Sequence, residues 1–235
     1  MLDELRRRLR KLADPVRAKH SLRFFKTAPG QYGHGDRFLG LTVPAMRTLV
    51  REFRELPLAG AEALLASEWH EERLVALLIL VAQYRHAPAE VYRLYLANTD
   101  RINNWDLVDA SAPHIVGAHL ETRNRRPLYL LARSKSLWER RIAVVATQHF
   151  IRRDDLADTL AIARILLRDE HDLIHKATGW MLREAGKRDE RVLRAFLDEH
   201  AAAMPRTMLR YAIERLPPAL REHYLSRSSA SEPVG

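Results

Sequence analysis

The feature that most constrains this chain is its periodicity: apolar residues recur at three- and four-residue spacing almost from end to end, as in Leu74, Leu77, Leu78 and Val81. Alternating apolar and polar runs bounded by turn residues are missing, so strands are not expected and helix is expected throughout. Breaks fall at Ala28-Pro29-Gly30, Pro57, Ala87-Pro88, Asn98 to Asn104, Asn124 to Pro127, Asp154-Asp155 and Pro217-Pro218. Ten or more short helices follow. The one long glycine-rich loop, with Gly30, Gly33, Gly35 and Gly40, reads as a contact loop, and residues 227–235 read as a disordered tail.

A degenerate repeat organises these helices. Trp69-His-Glu-Glu-Arg73 followed by Leu-Val-Ala-Leu-Leu resembles Trp138-Glu-Arg-Arg141 followed by Ile-Ala-Val-Val-Ala. Taking Arg73, Leu107, Arg141, Lys176 and Leu209 as equivalent sets steps of 34, 34, 35 and 33 residues, each holding two helices and their turns. Repeats of that length, without a tetratricopeptide consensus, predict an all-α, HEAT-like helical-repeat solenoid. It is expected to form a single elongated domain over residues 1–226, with a plain helical bundle as the competing architecture.

Composition excludes several classes. There is no cysteine, which removes disulfide scaffolds, thiolate metal sites and thiol nucleophiles and suits a reducing cytoplasmic setting. The N-terminal run Leu2-Asp3-Glu4-Leu5-Arg6-Arg7-Arg8-Leu9 is charged from its third residue, and no apolar run approaches twenty residues. Neither export nor membrane insertion is expected. Lys and Arg number 39 against 30 Asp and Glu, a formal charge of +9 carried mostly by arginine. That balance favours a polyanionic partner, although arginine runs are also compatible with a solvated surface.

In a solenoid the second helix of each pair lines one curved face. Arg73, Arg140 or Arg141, Lys176 and Arg210 would then recur there once per repeat, a spacing suited to a phosphate backbone. The segment Asn103-Asn104-Trp105-Asp106-Leu107-Val108-Asp109 breaks this rule by placing acids where its relatives carry arginine. Trp105 and Asp109 are four apart and share a helical face, while Asp106 lies on another and is expected to cap or pair locally. Either Asp109 marks a site, or it only pairs with Arg141 while Trp105 packs in the core. His175-Lys176-Ala177-Thr178-Gly179-Trp180 is the second unusual stretch, because a mid-helix glycine costs about 1 kcal/mol relative to alanine and implies a close neighbour. Trp180 is then a site residue or a packing residue.

Metal and nucleotide chemistry find no foothold. His70-Glu71-Glu72-Arg73 lacks a second histidine, and His171 and His175 have no third ligand in sequence. The glycine loop matches no nucleotide fingerprint. No metal or other cofactor is expected.

Ile102-Asn-Asn-Trp-Asp-Leu-Val-Asp109, Leu137-Trp-Glu-Arg-Arg141, His175-Lys-Ala-Thr-Gly-Trp-Met-Leu-Arg-Glu184 and Met204-Pro-Arg-Thr-Met-Leu-Arg-Tyr211 occur in this order. Together they resemble the AlkD family of alkylpurine DNA glycosylases, over about Phe24 to Tyr224. The resemblance implies a monomeric HEAT-like solenoid that grips duplex DNA and hydrolyses the glycosidic bond of positively charged alkylpurines. Carried over by motif, Asp109 resembles the catalytic carboxylate. Trp105 and Trp180 resemble the indoles flanking the lesion's sugar, and Arg141 the arginine beside the carboxylate, with Arg140 adjacent to it. The loop Gly30 to Gly40 aligns with no residue of known role. Two other readings carry weight: a non-catalytic HEAT-repeat module that binds nucleic acid, and a protein-interaction scaffold.

Overall fold

A computed structural model describes residues 1–228. The described residues are helical, with one isolated bridge between Arg37 and Trp69 in place of any strand. No described helix is long and apolar enough to cross a membrane. Packing divides the chain at His119 into two compact units.

The first unit holds helices Leu2–Lys11, Pro15–Phe24, Val43–Glu52, Leu58–Leu65, His70–Gln83, Pro88–Ala97 and Trp105–Ala112. His70–Gln83 is its centre, packed by Val43–Glu52, Leu58–Leu65 and Trp105–Ala112, with Val75, Leu77, Ile79 and Leu80 fully buried. Ten of its fourteen residues are buried, including all four charged or polar residues of its first turn, His70 to Arg73. That burial demands partners for each of them. The Trp105–Ala112 helix runs into a π turn at Pro113–Gly117. Pro113 has no N–H to donate to the carbonyl four residues back, that of Asp109, so the helix widens there.

The second unit holds Arg126–Leu131, Leu137–Ala146, Gln148–Ile151, Ala157–Leu166, Asp172–Arg188, Glu190–His200, Arg206–Ala212 and Pro218–Ser228. Asp172–Arg188 is its centre, packed by Leu137–Ala146, Ala157–Leu166, Glu190–His200 and Arg206–Ala212. Its core includes Leu182, Leu193, Phe196, Met208 and Tyr224. The last helix runs through Ser228 and so takes in the first two residues of the expected tail, and residues 229–235 of that tail lie outside the described residues.

The repeat is real but its register differs from the one expected. The helices that carry the repeated motif begin at residues 70, 105, 137, 172 and 206, steps of 35, 32, 35 and 34. Arg73 Nη1 donates to the Ser67 carbonyl at 3.0 Å, and Arg140 Nη1 donates to the Ser134 carbonyl at 3.0 Å. Ser67 and Ser134 each accept the amide two residues on, at 3.1 and 3.0 Å. Arg140, not Arg141, is therefore the counterpart of Arg73. Pairing Arg73 with Arg141 is one residue out, and matching the tryptophans at 69 and 138 is two residues out.

Candidate functional site

The candidate helix starts because Asn104 takes extended backbone angles and its side chain accepts the Trp105 amide at 2.8 Å. Trp105 and Asp109 follow on one face, both half-buried. The indole is braced from below: Phe25 stacks on it at 5.5 Å and 26°, and Phe24 meets it edge-on at 5.9 Å. Such aromatic contacts contribute about 0.5 to 1.5 kcal/mol each beyond area burial. Under the helix, the buried Tyr95 hydroxyl lies 3.0 Å from Ser111 Oγ, which itself donates to the Leu107 carbonyl at 2.6 Å. Burial raises Tyr95 above the ordinary phenol value, and the charge of Asp109 raises it further against the Ser111 bond. A neutral phenol thus lies beneath the helix that carries Asp109.

A buried ionic chain fixes the first turn of this helix. Asp106 accepts from His70 Nε2 at 2.8 Å, while His70 Nδ1 reaches Asp36 at 3.3 Å, so both ring nitrogens donate. Asp36 also accepts from Arg73 Nη2 at 2.6 Å and from Asn104 Nδ2 at 3.4 Å. Burial alone would lower His70, but Asp106 and Asp36 outweigh it and hold the imidazolium up at about 9. Asp36 is likewise held below the ordinary carboxylate value because His70 and Arg73 outweigh its burial. The order of charges is Asp106 negative, His70 positive, Asp36 negative, Arg73 positive, each neutralising its neighbour.

This chain explains the glycine-rich loop. Its Asp36, Phe38 and Leu39 are buried, while Gly30, Gln31, His34, Gly35 and Arg37 of the expected contact loop are exposed. Glu71 accepts the amides of Leu39, Gly40 and Leu41 at 2.9, 2.7 and 3.2 Å, which lashes the loop's end to the central helix. Gly40 has φ +81°, and any Cβ there would meet Ala18 N at 2.6 Å, so only glycine lets the Pro15–Phe24 helix lie this close. The guanidinium groups of Arg10 and Arg37 both lie over the Trp69 ring, at 4.5 and 4.4 Å from its centroid.

The second unit carries the remaining sequence-predicted residues. Arg141 is 5 % exposed and donates to the Leu173 carbonyl at 2.5 Å. Arg140 faces a different way: Nε reaches Asp169 at 2.6 Å, and Nη1 donates to the Ser134 and Lys135 carbonyls, both at 3.0 Å. Trp180 is half-buried and Arg210 is exposed. Lys176 pairs with Asp172 one turn earlier at 2.6 Å. Gly179 is explained by packing, because a Cβ there would clash with the Met208 carbonyl oxygen and sit 2.6 Å from Tyr211 Cβ. The close neighbour is the Arg206–Ala212 helix.

One expectation about phosphate contacts changes accordingly. Arg73 is 5 % exposed and bound on two sides by protein, so it serves the repeat's own architecture. Arg140 braces the loop before its helix and pairs with Asp169, and its side chain stays partly exposed. Sequence reasoning missed Asp36, His70 and Asp106 as a set. The signal available was the run His70-Glu71-Glu72-Arg73 at the head of an otherwise apolar helix, too charged for a buried turn unless partners arrive from elsewhere. Among the described residues no three His, Asp or Glu side chains are placed to hold a metal ion.

Known proteins place these observations in a family. The sequence pattern of the DNA alkylation repair enzymes matches residues 5–216. A protein of Enterococcus faecalis described as a predicted DNA alkylation repair enzyme shares the fold at a TM-score of 0.72 and 19% identity, over 88% of this chain and 97% of its own. Curated proteins offer no match. With a family pattern that covers nearly all of an all-helical repeat chain, the protein belongs to the DNA alkylation repair enzyme family and is an enzyme of DNA repair whose substrate is DNA.

Proposed function

We propose that this protein is a monofunctional DNA glycosylase that hydrolyses the N-glycosidic bond of cationic alkylated purines, such as 7-methylguanine and 3-methyladenine, in duplex DNA. The observation that carries the reading is the pairing of a braced indole, Trp105, with a carboxylate, Asp109, on one face of a short helix. A purine alkylated at N3 or N7 already bears positive charge. When its bond to C1′ breaks, the electron pair neutralises the departing base, so no general acid is needed. What remains is to stabilise a sugar with oxocarbenium character and to deliver water. Asp109 supplies the negative charge and accepts the proton of the attacking water as its oxygen bonds to C1′. The face of Trp105 adds cation–π attraction of about 0.5 to 2 kcal/mol.

Trp180 and Arg141 keep the roles that the family resemblance implies, the second indole and the arginine partner of the carboxylate. Arg140, Lys176 and Arg210 are the proposed phosphate contacts, and the protein acts as a cytoplasmic monomer.

The test is release of methylated base from alkylated duplex DNA by the wild type and Asp109→Asn, each checked for folding. The asparagine keeps shape but deletes the charge. Release should fall at least about tenfold, equal to about 1.4 kcal/mol of transition-state stabilisation, with duplex binding unchanged or tighter. Equal release by both proteins would remove Asp109 from the chemistry. Binding of lesion DNA without any release by the wild type would instead favour the non-catalytic module.

A further inference from the structure

His70 plays no part in the chemistry just described, yet each of its ring nitrogens faces a carboxylate inside the first unit. It is 2% exposed and opens the His70–Gln83 helix, where water would ordinarily serve it. Two routes lead from its ring to the candidate site. One is ionic, through Asp106, the residue next to Trp105 and three before Asp109. The other is aromatic: the imidazole lies 4.9 Å from the Phe25 ring, whose stack on Trp105 is at 5.5 Å, and Phe38 packs on the imidazole at 4.7 Å and on Phe25 at 5.1 Å.

We propose that His70 is a positioning residue: clamped as an imidazolium between Asp36 and Asp106, it sets the first turn of the Trp105–Ala112 helix, and with it the aim of Trp105 and Asp109. The Gly30–Gly40 loop is the strap that delivers Asp36. The catalytic half of this inference rests on the glycosylase reading; the structural half stands alone.

The argument is one of donors. Two carboxylates flank one ring, and only the protonated ring donates to both. A neutral imidazole would turn a lone pair towards Asp36, which is buried away from water, or towards Asp106, which is only partly exposed. The weaker partner to lose is Asp106, since Asp36 keeps Arg73 and Asn104. The charged groups facing His70 are Asp36 from the loop, Asp106 from the candidate helix and Arg73 from its own helix; the segment that ends in Phe25 and the residue Phe38 present uncharged rings. The candidate helix spans only eight residues, so a change at Asp106 is felt less than one turn later at Asp109.

The experiment is fluorine NMR on protein grown with 5-fluorotryptophan, the Trp105 signal assigned by Trp105→Phe, alongside base release and lesion-duplex binding. In His70→Gln the Trp105 signal should shift or broaden while those of Trp138 and Trp180 hold. In the wild type the same signal should titrate with a midpoint near about 9, and that titration should vanish in the variant. Release should fall at least about tenfold with Kd changed less than about twofold. If His70→Gln does not fold, Asp106→Asn carries the test, because its side chain is 18% exposed and leaves Asp36 paired. An unmoved Trp105 signal in a folded variant, or a wild-type signal flat from pH 7 to 10, overturns the proposal. A wild type that releases no methylated base overturns the glycosylase reading instead, and the fluorine signals still decide the role of His70.

Discussion

Raising the pH is a perturbation whose effect on stability follows from one buried ring. The ordinary histidine value is about 6.5, and in the folded protein the imidazolium of His70 persists to about 9. Between these limits the folded state binds a proton that the unfolded chain has released. Linkage sets the sign: the contribution is complete below about pH 6.5 and is lost as pH rises through about 9. At about 1.4 kcal/mol per tenfold change in proton affinity, the loss is about 3 kcal/mol. His149 and His171 are both lowered, in each case chiefly by burial, so they act on the other side, weakening the fold as pH falls below about 6.5. Asp36, held low, matters only in acid. The window from pH 6.5 to 10 therefore isolates His70 among the shifted histidines and carboxylates. Urea unfolding at half-unit intervals, at fixed ionic strength, should show wild-type stability falling by about 3 kcal/mol more than that of His70→Gln across the window. Parallel curves for the two proteins would refute the reasoning, because the variant has no proton to lose there.

Gly179→Ala should destabilise the protein by about 1 to 2 kcal/mol in the same urea assay, since overpacking against Met208 and Tyr211 exceeds the helical gain of alanine; a stability equal to or above the wild type would mean the Arg206–Ala212 helix yields freely. Substrate choice follows from the single carboxylate: 7-methylguanine and 3-methyladenine should be released, and uracil and hypoxanthine should resist by about a hundredfold or more, because nothing beside Asp109 protonates a neutral leaving base. Chelator should leave that rate unchanged, and comparable release of uracil and 7-methylguanine would sink the mechanism.

The sequence by itself determined the helical class and the two-helix repeat, because burial of one face every 3.6 residues is written locally in the spacing of Leu, Ile, Val and Ala. It also determined the pairing of Trp105 with Asp109, since four residues on a helix always share a face. The family motifs lie on those same local strings. Tertiary structure decided everything that depends on partners distant in the chain. Arg73 and Asp36 are 37 residues apart, and only their contact turns an expected phosphate ligand into a buried counter-ion. The end of the glycine loop is held against the central helix because Glu71 accepts the amides of Leu39, Gly40 and Leu41, which no local pattern announces. Register within the repeat followed the same logic, with the shared carbonyl contacts of Arg73 and Arg140 outranking the matched tryptophans. Periodicity reports which face of a helix is buried; which charge meets which across that face is fixed only when the chain closes on itself.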